Sequence, residues 1–383
     1  MRRIAIILIL LIGISGCGVR QDVTKAREVW ANKSKDSIII GVVGTMWIMA
    51  DATKYLDGIK LAVEEINAGG GIDNRDVEIL ELDDKGQTME GINIAQELVE
   101  NPNLMAVLGH WDSHVTLPAA SIYENAGVLM ITAMATSPKL TQNDYKYIFR
   151  NVPSDEKMGG EMAAFAKAQD LKRMVIYYSD TDYGKGLANS FEKVARSIGI
   201  KIVDRATLFV NEHEFDRTME RWNALNFDGV FIADYMPDAG DIILKIREVY
   251  PDIPIMGTDG LDSPDFIDVL GEAAEGIVIA TLFDPKDRSS ELLQFINRFR
   301  ERYGTEPDVY AVQGYETFKL LATAMKNAEN PSPEETAKAL RVISQWSGLT
   351  GTLNIEENGD VTGKVIRKKV VRTGKFEYLR ITQ

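Results

Sequence analysis

The chain has 383 residues, more than one hydrophobic core ordinarily serves, so two lobes are expected. Its 57 acidic and 43 basic side chains leave a formal charge of −14, with no lysine/arginine cluster, which argues against a nucleic-acid partner or an anionic membrane surface. Cys17 is the sole cysteine, so no internal disulfide can form and the fold must rest on its core.

The chain opens MRRIAIILILLIGISGCGVR. Arg2 and Arg3 precede an apolar run over 4–14, the basic and hydrophobic regions of a signal peptide; the run is too short to span a bilayer. Ser15-Gly16-Cys17 resembles a lipobox, which implies cleavage after residue 16 and lipid attachment at Cys17. Residues 17–36 are polar and read as a tether between that lipid and the folded body.

Residues 38–43 form a β-branched apolar run, the pattern of a buried parallel strand. In YLDGIKLAVEEINA, Leu56, Ile59, Val63 and Ile66 share one helical face, and Gly69-Gly70-Gly71 stops the helix. A strand over 77–82, a helix over 88–100, a strand over 105–109, a helix from Ser113 and a strand over 128–132 complete a β-α-β-α-β-α-β series. That is the pattern of a doubly wound parallel sheet. Asn151-Val152-Pro153 breaks it, and a similar series follows. Its strands fall over 174–178, 200–208, 229–233, 254–257 and 276–282, and its helices over 184–197, 215–225 and 238–249. Beyond Asp284-Pro285 the pattern turns helical, over 291–303, 311–328 and 333–343. Strands over 353–355 and 364–382 close the chain, the latter a hairpin around Thr373-Gly374-Lys375. The late helices need a core, and the first lobe supplies one, so the chain is expected to cross between the lobes more than once.

The stretch over 109–141, GHWDSHVTLPAASIYENAGVLMITAMATSPKLT, carries most of the functional information. If its two strands are parallel neighbours, their carboxyl ends bring Ser113 and Thr136 together. Hydroxyls and free backbone N–H groups then converge, as a site for a small anion such as a carboxylate. Tyr235 and Asp259 each follow a strand of the second series, the equivalent place in that sheet.

Several segments, in this order and spacing, resemble the leucine/isoleucine/valine-binding family of type I periplasmic solute-binding proteins. They are GIKLAVEEINAGGGI with LELDD, the 109–141 block, YYSDTDYGKGLA, DYMPDAG, GTDGLD, GEAAEGI and SGLTGTLNIEENGD. The resemblance covers essentially the whole mature chain. It implies two α/β lobes joined by a three-crossover hinge, with ligand held in the cleft between them. The crossovers would fall near 151–155, 283–285 and 348–351, giving a first lobe of 37–152 plus 284–349 and a second of 153–283 plus 350–383. Carried across by motif, Ser113 and Thr136, with backbone from Met134 and Ala135, would hold a ligand carboxylate. Tyr235 and Asp259 would hold its α-ammonium, and Tyr183 would face the cleft.

Trp47, Trp111 and Asp112 depart from the small aliphatic residues usual around that family's ligand. The expected ligand is an α-amino acid, branched-chain by family default, bulkier or polar by these three groups. His110, Asp112 and His114 are potential metal ligands, but the histidine pair would need one shared helix and His110 ends a strand; no metal is expected. No Walker A sequence, GxSxG or HExxH is present, and the glycines at 69–71 follow a helix rather than opening one. No cofactor and no catalysis are therefore expected. The sequence reads as a monomeric, lipid-anchored extracytoplasmic protein that delivers its ligand to an ABC permease, a partner implied by the family alone. A ligand-sensing receptor of the same fold, a binder of an amide or urea-type solute and an enzyme of small amides are the alternatives.

Overall fold

The computed structural model describes residues 23–207, 209 and 211–379. The expected signal peptide and Cys17 lie outside these residues, as do position 208 and positions 380–382 of two expected strands.

The first lobe carries a five-stranded parallel sheet ordered β2 (Val77–Asp83), β1 (Ile38–Gly44), β3 (Leu104–Gly109), β4 (Leu129–Thr132) and β5 (Ile148–Arg150). β3 and β4 are buried at every position, which is why they read as unbroken apolar runs. Ahead of the sheet, a helix over 23–33, α1, packs onto this lobe. Ala31 enters the core, and the buried Arg27 guanidinium donates to the carbonyls of Val99 (2.9 Å) and Ala126 (3.4 Å). These carbonyls end α3 (Thr88–Val99) and α4 (Ser113–Ala126), where a cation is favoured. Residues 23–33 are thus part of the lobe rather than tether. Their polarity hides this, because the helix docks through an arginine as much as through apolar contact. α2 (Tyr55–Ala68) completes the opening series.

The second lobe carries a seven-stranded sheet. Its order is β7 (Lys201–Ala206), β6 (Arg173–Tyr178), β8 (Gly229–Ala233), β9 (Ile255–Gly257), β10 (Val278–Thr281), β14 (Arg367–Arg372) and β15 (Lys375–Tyr378), with the last two antiparallel. α5 (Asp155–Ala168) and α6 (Asp182–Ser197) share one core with this sheet; α7 (Glu212–Ala224), α8 (Asp238–Val249) and the short α9 (Phe266–Leu270) share another.

α10 (Ser290–Tyr303), α11 (Val309–Asn327) and α12 (Pro333–Arg341) return to the first lobe, where Phe295, Phe299, Phe318 and Leu321 join its core. Gly58 of α2 sits so close to α11 that a Cβ there would collide with the Ala311 carbonyl. A small antiparallel sheet follows: β11 (Trp346–Ser347), β12 (Gly351–Ile355) and β13 (Val361–Lys364). Its Leu353, Ile355 and Val361 lie in the first lobe's core, whereas Ile366 lies in the second's. The third crossing therefore falls near 365, not at 348–351, and residues 350–364 belong to the first lobe. Gly348 and Gly351 mark a turn within that lobe. Wholly buried Glu316 of α11 pins the sheet there, accepting from Thr350 N (2.8 Å) and pairing with Lys364. The first crossing joins β5 to α5 through 151–154, and the second runs from Leu282, in the second lobe's core, to Phe283, in the first's.

Candidate functional site

The carboxyl ends of the two parallel sheets face one interlobe cleft of about 490 Å³. The first lobe contributes Trp47, Trp111, Asp112, Ser113, His114, Met134 and Tyr310 to its lining. The second contributes Tyr183, Tyr235, Met236, Asp238, Asp259 and Asp265, among others. No lysine or arginine is among the described residues lining the cleft. Outside it, Lys139 and Asp182 pair across the lobes at 2.6 Å.

On the first lobe, the loops after β3 and β4 are stitched together. The Thr132 hydroxyl donates to the His110 carbonyl (3.0 Å) and accepts from the N–H groups of Met134 (3.2 Å) and Ala135 (3.1 Å). Ser137 N–H donates to Ser113 Oγ (3.3 Å). Ser113 is the first residue of α4, where helical N–H groups lack acceptors and favour an anion. Behind it, the wholly buried Arg150 donates to the carbonyls of Thr136 (2.9 Å) and Ser137 (2.8 Å) and pairs with Asp360 (2.8 Å). Asp155 N–H donates to the same Thr136 carbonyl (2.9 Å). Thr136 is thereby fixed, wholly buried, with its hydroxyl unpartnered among the described residues.

This geometry redistributes the expected roles. Met134 reaches the cleft, but its N–H and that of Ala135 are already engaged by Thr132. Ala135 is buried behind the lining, so neither offers the free N–H that the sequence reading assigned to a carboxylate. The donors left at the cleft for an anion are the Ser113 hydroxyl and the start of α4; the Thr136 hydroxyl lies buried behind them.

On the second lobe, Tyr183 stands in the first turn of α6, which Thr181 caps by accepting from Gly184 N–H (3.1 Å). The Tyr183 hydroxyl lies 3.0 Å from Thr258 Oγ1, donates to Asp259 Oδ1 (3.3 Å) and accepts from Gly260 N–H (3.1 Å). Only a glycine fits at 260, because a Cβ there would lie 2.6 Å from that hydroxyl. Tyr235 packs beside Tyr183, ring centroids 6.1 Å apart. Burial pushes the Asp259 carboxyl up to about 6 against these hydrogen bonds, and the Tyr235 hydroxyl up to about 12.

Asp155 has no counterpart in the sequence reading. It is wholly buried, with the Thr136 hydroxyl as its polar side-chain neighbour. Burial raises it to about 8, and the charge of Asp259 adds to the rise. In sequence it is an ordinary acid at the end of the first expected crossover, and nothing there tells that a helix, α5, begins at it or that its carboxyl is buried. Tyr310 was equally invisible; it opens α11 and lies tilted on Trp111 at 5.4 Å, while Tyr55 meets Trp111 edge-on at 5.3 Å.

His110 and His114 do not converge. The former lies 2.7 Å from Asp84 Oδ2 and 3.2 Å from the Tyr123 hydroxyl; the latter donates through Nε2 to the Gly86 carbonyl (3.0 Å). Asp83 in turn accepts from Met46 N–H (3.0 Å), bracing the loop that bears Trp47.

The sequence profile of the periplasmic binding protein family matches residues 39–371. The leucine-, isoleucine-, valine-, threonine- and alanine-binding protein of Pseudomonas aeruginosa is 28% identical over 336 residues, 85% of this chain and 87% of that one. Among solved structures, an ABC transporter substrate-binding protein from Desulfitobacterium hafniense in complex with Leu is 35% identical. It superimposes with a TM-score of 0.81 over 90% of this chain and 100% of that one. A leucine-binding protein from Thermotoga maritima is 27% identical, with a TM-score of 0.82 over 90% of this chain and 98% of its own.

Proposed function

The chain belongs to the periplasmic binding protein family, in the branch of the leucine/isoleucine/valine-binding proteins, and on that footing we propose that it captures an α-amino acid between its lobes for an ABC importer. Ser113 and the start of α4 hold the carboxylate, with Thr136 behind them; Asp259, oriented by Tyr183, and Tyr235 hold the ammonium. Asp155 adds a second acidic group behind Thr136. Cys17 carries the lipid that keeps the protein outside the cytoplasmic membrane, as a monomer.

One observation carries this reading: the Ser113 hydroxyl at the start of α4 and the Asp259 carboxyl occupy opposite walls of one cleft whose described lining is without lysine or arginine. A carboxylate buried among neutral donors needs no arginine, and an ammonium needs a carboxylate. A zwitterion therefore touches both lobes and favours their closure, whereas a ligand with one charge engages only one. The family is one of binding proteins rather than enzymes, and among the described residues no helix is long and apolar enough to cross a membrane.

Calorimetric titration tests the reading with three probes of one skeleton: leucine, its 2-oxo acid and isoamylamine. Leucine is expected to bind and each half-charged analogue to bind at least about 100-fold more weakly, as the loss of one buried ionic contact implies. Equal affinity for the oxo acid overturns the assignment of Asp259.

A further inference from the structure

The cleft holds more negative charge than a zwitterion can use. Asp112, Asp238, Asp259 and Asp265 all line it. Asp238 opens α8 and Asp265 precedes α9, both on the exposed rim, where the helix start accounts for an acid. Asp112 differs. It occupies the position before α4 yet makes no capping hydrogen bond. Its side chain turns instead to the first loop, where Oδ2 accepts from Thr45 Oγ1 (3.1 Å), and Oδ1 has no partner among the described residues. The groups around it are His114, His110, Asp84 and Thr45. His114 already donates to Gly86, and His110 is held by Asp84 and Tyr123. Burial holds the Asp112 carboxyl above the ordinary range, and its charge reaches Tyr235 across the cleft.

Asp112 is also next to Ser113. A charged carboxylate beside the anion-binding turn repels the ligand's own carboxylate, and closure over an aliphatic side chain would leave it dry, with the Thr45 hydroxyl as its one hydrogen bond among the described residues. That costs a ligand such as leucine affinity. Trp111 lies at the same wall, its ring held by Tyr310 tilted on it and by Tyr55 edge-on, so it cannot turn away to make room for a water shell around Asp112.

We propose that Asp112 is a specificity-determining residue, and that the preferred ligand is an α-amino acid whose side chain ends in a cation, an ammonium or guanidinium seated against the Asp112 carboxylate. The proposal rests on the amino-acid reading above and narrows it.

The test titrates the full mature protein with ornithine, lysine and arginine, and with norleucine and citrulline as uncharged counterparts. At least one basic ligand is expected to bind 10-fold or more tightly than its counterpart. In Asp112→Asn that ligand is expected to lose at least 10-fold, while norleucine holds or gains. Norleucine or citrulline binding as well as the basic ligands overturns the proposal and leaves the amino-acid reading standing. So does Asp112→Asn weakening both classes alike. No binding of any α-amino acid by protein with an intact melting transition overturns both.

Discussion

The two walls of the cleft solve opposite problems with opposite chemistry. In the function proposed above, the first lobe meets an anion with neutral groups: the Ser113 hydroxyl and the start of α4, on a turn immobilised by Thr132 and by the buried Arg150. The second would meet a cation with Asp259, a carboxylate whose own ionisation is opposed by burial. Dipoles fixed by the fold are ready at any pH, while Asp259 carries its charge only above about pH 6, a threshold that a neighbouring cation lowers. The first lobe thus supplies a preformed shape and the second a pH-dependent charge, and the two should fail differently.

The largest contrast should come from removing one group on each side. Asp259→Asn is expected to weaken amino-acid binding by about 100-fold or more, since it strands a buried ammonium. Ser113→Ala, which removes one of several hydrogen bonds to the carboxylate, is expected to cost about 10-fold, as a hydrogen bond to a charged group is worth about 1.5–3 kcal/mol. Titration calorimetry of both variants reads the difference, and equal losses would erase the proposed asymmetry.

Acidity provides the second, smaller contrast. An ammonium binds the ionised form of Asp259, which is held near 6 without ligand. Affinity should be flat above that pH and fall by up to about tenfold per unit below it, with proton release on binding. Ser113→Ala should keep this profile, because no titrating group has been touched; Asp259→Asn should flatten it.

The smallest effect is on the protein without ligand. Asp155, held near 8, keeps in the folded state a proton that the unfolded chain gives up near 4. Its contribution to stability is complete below about pH 4 and lost as pH rises through 8. Asp155→Asn should raise the melting temperature at pH 8 and little at pH 4, measured by scanning calorimetry. An unchanged pH dependence would mean that Asp155 is ionised in the fold.

Much of this was legible before any coordinates. The runs over 38–43, 105–109 and 128–132 are strands because parallel strands buried on both faces must be apolar throughout. Ser113 and Asp259 could be expected at the cleft because both follow strands whose carboxyl ends face it. The third crossing could not be placed, since Leu353 and Ile355 show that a strand is half-buried without showing which core buries it. Likewise α1 reads as a tether, because the carbonyls that receive Arg27 lie 72 and 99 residues away.

Local pattern, then, determined the two α/β series, most of their covering helices though neither α1 nor α5, and the loops that reach the cleft, because periodicity and helix starts are properties of neighbouring residues. Tertiary structure alone decided the engagement of the Met134 and Ala135 N–H groups, the burial of Asp155 and the locked face of Trp111. Each is set by partners distant in the chain, and burial and hydrogen bonding depend on what the fold brings near, which no local pattern records.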